Sequence, residues 1–235
     1  MNPNKTLAFL RNPIFRIIAT WVWWAAGAGL VLWAITAALG IGFTEFRTIY
    51  RQQPHLLTYV EVVGVGLFPL VLTLICRDDW TLYGVRTNRL RTSLLWSAVI
   101  VIANSVYLYL TTGYWLNWHI LTVHVTFPAN LWYATLGIFA YGPLEMFFVI
   151  WLIANTEKAI RGGFSIVSWG LLVTVVMVGL AHIATASSIY SALYVTVLFL
   201  LLGMVFKHTG NSIGPMIAWT MINGQVWFLA QFLWS

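Results

Sequence analysis

Residues 17–43 have the sequence IIATWVWWAAGAGLVLWAITAALGIGF and contain no charged side chain. A helix that crosses a bilayer needs about 20 mostly apolar residues, so this run is long enough to cross one. Lys5, Arg11 and Arg16 precede it, as basic residues precede the core of a signal peptide. That core has only about 7–15 apolar residues, and the run here is far longer. We therefore predict a membrane-spanning helix that is retained.

Six further apolar runs follow this first one. They lie at 56–76, 93–112, 131–154, 165–186, 189–206 and 213–233. The fifth and sixth of the seven predicted spans meet near Thr185–Ser188 with almost no loop, as in a tight hairpin. No repeat, low-complexity tract or linker interrupts the pattern. The sequence therefore predicts an all-α membrane protein, a polytopic bundle of about seven transmembrane helices in which residues 1–235 form one domain.

The overall composition supports a lipid environment. Sixty per cent of the 235 residues are hydrophobic and only 8% are charged, whereas a soluble domain has roughly 25% charged residues. The 14 Trp residues suit aromatic belts at the two membrane interfaces. A net charge of +6 would suggest nucleic acid for a soluble protein. Here the basic residues form short clusters between apolar runs. We therefore expect the partners to be the lipid bilayer and a membrane peptide or a partner membrane protein, and we expect no nucleic acid.

The basic residues also predict the orientation. If the N-terminus is cytoplasmic, only Arg47 and Arg51 lie in outer segments. The inner segments then hold Lys5, Arg11, Arg16, Arg77, Arg86, Arg89, Arg91, Lys158, Arg161 and Lys207. This bias follows the positive-inside rule and predicts a cytoplasmic N-terminus and an outer C-terminus. We expect an integral protein of a bacterial or archaeal cell membrane, with Asp78 and Asp79 in a solvated charge cluster on the inner side.

Three polar residues within the spans are candidate functional residues. Glu145 lies in the apolar segment 139–152, His182 in 173–183 and Asn223 in 217–229. Charged residues within spans are costly and often functional. Each residue also has a structural explanation: a protonated carboxyl bonded to a neighbouring helix, a packed histidine, or an amide that joins two helices. Because the three lie at similar depth on different helices, we predict that they converge on one buried pocket.

Other polar residues are weaker candidates. Glu61 is a second charged candidate, but it lies nearer the start of its span and could reach the interface. His119 and His124, in the outer loop 113–130, lack the four-residue spacing of a helical metal pair and are expected to be solvated. Glu145, His182 and Asn223 make a poor zinc set, because zinc sites usually have three or four N, S or O ligands. We predict no metal and no cofactor.

Several motifs resemble the CPBP family, which comprises the CAAX prenyl endopeptidases and bacteriocin-processing proteins, also called Abi proteins. The resemblance covers about 80–235. The motifs are WTLYGVR (80–86) followed by RLR (89–91), GPLE (142–145), VGLAH (178–182), LGMVF (202–206) and TGNSIGPMIA (209–218), the last leading to Asn223. WTLYGVR with RLR is similar to the family's LGLR segment, GPLE to its Glu-Glu-x-x-x-Arg motif, and VGLAH to its Phe-x-x-x-His motif. LGMVF and TGNSIGPMIA are similar to the run into its His-x-x-x-Asn motif.

The resemblance implies a glutamate-dependent intramembrane endopeptidase. It implies that Glu145 activates a water molecule, while His182 and Asn223 bind that water or the oxyanion. The chain departs from the family pattern in four places: Met146 replaces the second Glu, Ile150 the Arg, Val178 the Phe and Trp219 the first His of the last motif. Because Trp can donate one hydrogen bond but cannot act as a base, we expect peptidase activity that is weak or lost.

Three functions therefore remain open from the sequence. The first is a divergent intramembrane peptidase with Glu145, His182 and Asn223 as catalytic residues. The second is a catalytically silent relative that binds a membrane peptide or partner. The third is a non-catalytic subunit that binds a partner protein or pigment in a larger membrane complex. An open cavity at Glu145 would favour the first, and a Trp219 ring that fills this space would favour the second.

Overall fold

The computed structural model describes residues 3–52, 55–115, 126–161, 165–185 and 188–223, with positions 226, 229 and 233. This part of the chain is helical and contains no strand, which confirms the all-α prediction for it. The shorter helices are α1 (Pro3–Leu10), α3 (Phe43–Gln52), α7 (Trp169–Thr185) and α9 (Ile213–Ile222). The regular long helices are α2 (Pro13–Leu39), α5 (Leu90–Thr112) and α8 (Ile189–Thr209). Helix α4 joins His55–Val60, Glu61–Leu67 and Phe68–Ile75, and α6 spans Ala129–Ile160.

Five of these helices are long and apolar enough to cross a membrane. They are Pro13–Leu39, Leu56–Ile75, Leu90–Thr112, Ala129–Ile160 and Ile189–Thr209. The predicted fifth and seventh spans contain the shorter apolar helices Trp169–Ile183 and Ile213–Ile222. Most of the predicted seventh span after Asn223 lies outside the described residues, as do His119 and His124.

The bounds of α2 show why the predicted spans are displaced from the helices. The helix begins at Pro13 because the side chain of Asn12 accepts the amide hydrogens of Ile14 and Phe15, at 2.9 and 3.3 Å. It ends at Leu39 because Gly40 adopts a left-handed conformation with φ 64°. Hydropathy alone places this span four residues later, at 17–43, because Arg16 interrupts the apolar residues at the start and apolar residues continue beyond the cap.

Helix α6 forms the centre of the bundle. Helices α2, α4, α7, α8 and α9 all pack against it, and α5 packs against α8 and α9. The side chains of Met146, Ile150, Trp151 and Ile153 are fully buried. The outer helices instead expose large apolar side chains, such as Leu110 at 77%. In a bilayer these outer faces would contact lipid tails, whereas the polar residues Glu145 and Asn155 of α6 are enclosed by protein.

The charged residues at one end of the bundle correct the expectation of a solvated cluster. Arg16 is 4% exposed and donates to both carboxylate oxygens of Asp78, at 2.7 and 3.1 Å. The hydroxyl of Tyr83 donates to Asp78 Oδ2 at 2.6 Å. The expectation was therefore wrong for Asp78, which joins α2 to the segment after α4. Asp79 is exposed, as expected, and caps the turn Trp80–Tyr83.

Candidate functional site

Glu145 follows directly after an irregular segment of α6. Pro143 has no amide hydrogen, so it cannot continue the regular hydrogen-bond ladder of an α-helix. The helix widens here into a π-helical segment at Ala140–Leu144, and regular α-helix resumes at Glu145. Such π segments are often found at functional sites. In this structure the segment sets the direction in which the Glu145 side chain leaves the central helix.

Two donors, one in α9 and one at its C-terminal cap, hold the carboxylate of Glu145. Trp219 Nε1 donates to Glu145 Oε2 at 2.6 Å, and Asn223 Nδ2 donates to the same oxygen at 3.3 Å. Asn223 Nδ2 also donates to the carbonyl oxygen of Tyr141 at 3.2 Å. Positions 219 and 223 are four apart, so both donors lie on one face of α9. Glu145 and Asn223 thus come together, and Trp219 joins them as a hydrogen-bond donor.

A glycine allows α6 and α9 to approach closely enough for these bonds. A Cβ atom added at Gly142 would collide with the side chain of Thr220 on α9. Small residues at such crossings let two helix backbones come together within membranes. Gly142 is therefore part of what positions the donors beside Glu145.

We expect Gly142→Ala to lower the free energy of unfolding by about 1–3 kcal/mol, because the added methyl group overpacks the crossing with Thr220. Unfolding in a denaturing detergent measures this loss. The matched control is Gly29→Ala, where an added Cβ meets no atom within 4 Å. Equal stability of the two variants would contradict the close crossing.

His182 lies on α7 and reaches the site from another side. Its Nδ1 is 2.9 Å from the carbonyl oxygen of Val178, one turn earlier. Because a carbonyl only accepts, Nδ1 carries the hydrogen, and in a neutral ring Nε2 is then the acceptor. The ring also contacts Phe199, with centroids 5.8 Å apart, and Phe199 contacts Trp219 at 4.4 Å. Phe199 therefore links the His182 and Trp219 sides of the site.

A cavity of about 490 Å³ joins Glu145 and His182. Helices α2, α4, α6, α7 and α8 form its walls, which are mostly apolar. Its ionisable side chains are Glu61, Tyr141, Glu145 and His182. Trp219 is not part of the lining and holds Glu145 from the α9 side. The cavity thus extends to Glu145, and the Trp219 ring does not fill it.

Glu61 is a second carboxyl group at this site. It lines the same cavity as Glu145 and lies close enough to interact with it electrostatically, although its place near the start of the span left the interface open as its location. Within the described residues, its buried Oε1 has no hydrogen-bond partner. It opens the π-helical segment Glu61–Leu67, where Gly66 packs directly against Leu144. The sequence signal for Glu61 was a carboxylate within the apolar run 56–76, which is the same kind of signal that identified Glu145.

Two departures from the family motif lie away from the cavity. Glu145, Phe148 and Val149 line it, which is the spacing of one helix face. Met146 and Ile150 are fully buried in the core instead. In this structure a glutamate at position 146 would therefore enter apolar packing, while Glu61 from α4 provides a second carboxyl group in the cavity.

No family model, curated protein or solved structure matches the chain. Among the described residues, no group of three His, Cys, Asp or Glu side chains is placed to hold a metal ion.

Proposed function

We propose that this chain is a divergent intramembrane glutamate peptidase, similar to the CPBP family, with weak activity towards membrane peptides. The observation that supports this most is the carboxylate of Glu145, which two donors hold at the wall of a cavity of about 490 Å³. A fixed carboxylate beside a space that can admit a peptide and water is what general-base hydrolysis requires.

In this proposal Glu145 removes a proton from a water molecule in the cavity as that water attacks the peptide carbonyl. His182 Nε2 accepts the second hydrogen bond of the same water and orients it. When the carbon–nitrogen bond breaks, Glu61 donates a proton to the leaving amine. Glu61 thus takes the part that a second acid next to Glu145 would otherwise have.

The proposed activity is weak because the hydrogen-bond donors near Glu145 already have partners. Both amide hydrogens of Asn223 are engaged, with Glu145 and with Tyr141, and Trp219 Nε1 is also bound to Glu145. His182 Nδ1 is bound to Val178. The donors that the resemblance implies for the oxyanion are therefore already in use, so Asn223 acts as a positioning residue. Loss of one oxyanion donor lowers turnover about 10²–10³-fold.

The proposal is tested with the purified chain in lipid bilayers and a panel of membrane-spanning peptides. We expect slow cleavage, detected by mass spectrometry, that Glu145→Gln abolishes, because glutamine cannot accept the proton. The matched control is Glu45→Gln, which removes an exposed carboxylate on α3 and should leave cleavage unchanged. Cleavage that persists in Glu145→Gln at the rate of the parent chain would rule out Glu145 as the base.

The hydrogen bond from Trp219 to Glu145 also favours a second candidate, a non-catalytic membrane subunit that binds a partner protein or pigment. In that case the bond at 2.6 Å is a structural link between α6 and α9. The parent chain would then cleave no peptide in the panel, and Glu145→Gln would change only stability.

The proposed topology has seven spans, with α7 and α9 shorter than the other five. A tag at the N-terminus is expected in the cytoplasm and a tag after Ser235 on the opposite side, because basic residues concentrate in the inner segments. Protease protection of the two tags in sealed vesicles measures this. Both termini on one side would contradict seven spans.

A further inference from the structure

A second cavity, which we name the basic pocket, lies at one end of the bundle. It has a volume of about 760 Å³ and is separate from the cavity at Glu145, with which it shares no lining residue. It is formed by Arg11 before α2, the first turn of α2, the segment between α4 and α5, and the last turns of α6 and α8. Because these are ends of apolar helices, the basic pocket opens where the bundle leaves the membrane.

The charge of the basic pocket is strongly unbalanced. Three acidic side chains contribute to its lining, against seven cationic ones. The cations are Arg11, Arg16, Arg77, Arg86, Arg89, Lys158 and Lys207, and the acids are Asp78, Asp79 and Glu157. An excess of four positive charges around one concave space creates a potential that attracts anions.

Ion pairs within the pocket do not remove this excess. Asp78 pairs with Arg16 at 2.7 Å, and Glu157 pairs with Lys207 at 3.0 Å. The exposed carboxylate of Asp79 is bound to Thr81. The remaining cations converge on the pocket from three different segments of the chain: Arg11, then Arg77, Arg86 and Arg89, and then Lys158.

Arg86 carries an unsatisfied donor in this pocket. Within the described part of the chain, its Nε is buried and has no hydrogen-bond partner. A buried donor of this kind is costly unless a ligand or water satisfies it. The backbone around Arg86 is well held, because Asn211 Nδ2 donates to its carbonyl oxygen. The backbone of Arg86 is thus fixed beside the pocket, and its guanidinium has a hydrogen bond left to make.

We propose that the basic pocket binds a phosphate group. Arginine guanidinium groups suit phosphate oxygens because they present planar pairs of donors, and several of them can surround one tetrahedral anion. The volume exceeds that of a single small ion, so the phosphate belongs to a larger molecule or shares the pocket with water. The source is either an anionic lipid headgroup, since the pocket opens beside the membrane, or a soluble phosphate compound. This inference does not depend on the proposed peptidase function.

The test measures binding to the full chain in nanodiscs of phosphatidylcholine. One arm adds phosphatidylglycerol to the bilayer and follows thermal stability and retained lipid by native mass spectrometry. The second arm adds inorganic phosphate or pyrophosphate to the buffer. We expect stabilisation in at least one arm, and about tenfold weaker binding in Arg86→Gln, because one charge-assisted contact is lost.

The controls use matched arginine and lysine changes. Arg91→Gln removes an equal charge at an exposed position of α5 outside the pocket and should leave binding unchanged. Lys158→Gln changes a different wall of the pocket and should also weaken binding. It replaces Arg86→Gln if that variant does not fold. Stabilisation by phosphatidylglycerol identifies a lipid headgroup, and stabilisation by soluble phosphate alone identifies a soluble ligand. No stabilisation in either arm, or equal weakening by Arg91→Gln, would overturn the proposal.

Discussion

Trp219→His is expected to raise the rate of peptide cleavage about 10²–10³-fold, the factor by which a single oxyanion donor usually changes turnover. The indole of Trp219 has one donor, and that donor is bound to Glu145 at 2.6 Å. A protonated imidazole has two N–H donors, so it can donate one to Glu145 and, being smaller than the indole, leave the second for the oxyanion. Cleavage per folded molecule is the quantity to measure, because Trp219 is buried and its loss also weakens packing.

Trp219→Phe is the control for this prediction. Phenylalanine keeps an aromatic ring against Phe199 but has neither donor nor acceptor, so it should give no gain. Met146→Glu is not a useful companion change, since Met146 is fully buried in apolar packing. A Trp219→His variant that folds and cleaves no faster than the parent chain would show that the pocket has another use.

Asp78→Ala is expected to lower the free energy of unfolding by about 3–5 kcal/mol, because it leaves the buried guanidinium of Arg16 without its partner. The Arg16 and Asp78 side chains are only 5% and 8% exposed. Unfolding in a denaturing detergent, followed by tryptophan fluorescence, measures the loss. The neighbouring change Asp79→Ala removes an exposed carboxylate and should have a smaller effect. Equal losses for the two variants would contradict a buried ion pair.

The same ion pair predicts the response to acid. Burial alone would raise the pKa of Asp78, but hydrogen bonds from Arg16 and Tyr83 and the charges of Arg16 and Arg11 lower it below the ordinary value of 3.8. A folded-state pKa below the unfolded value means that stabilisation is complete above the unfolded value and is lost as pH falls through the lowered pKa. Asp78→Ala should therefore narrow the stability difference between neutral and acidic pH.

Much of the helical architecture was predictable from the sequence because apolar runs in a chain with few charges leave few alternatives. Each of the seven predicted runs contains an apolar helix in the described residues. The bounds differ where a cap overrides hydropathy, as at Gly40, or where a helix continues into polar residues, as in α6 beyond 154. Hydropathy has no information about such local hydrogen bonds.

The candidate site was predictable only in part. Glu145 and Asn223 were identified because polar residues stand out within apolar spans, and the structure joins them directly. The place of Glu61 in the cavity was not predicted, because the depth of a residue within its span depends on how the helices pack. Here Gly66 packs against Leu144 and brings α4 close to α6. The Arg16–Asp78 pair was missed for a related reason, since nothing in the local sequence shows that residues 62 positions apart meet.

The central claim is that a cavity within the bundle extends to Glu145. Modification by a hydrophobic carbodiimide, which partitions into the membrane and reacts with carboxyl groups in apolar surroundings, tests it directly. We expect peptide mass spectrometry of the treated chain to find the adduct on Glu145, and the adduct to be absent from Glu145→Gln. A folded chain in which neither Glu145 nor Glu61 is modified, at a pH low enough to protonate both, would contradict the claim, because both carboxyl groups line the same cavity.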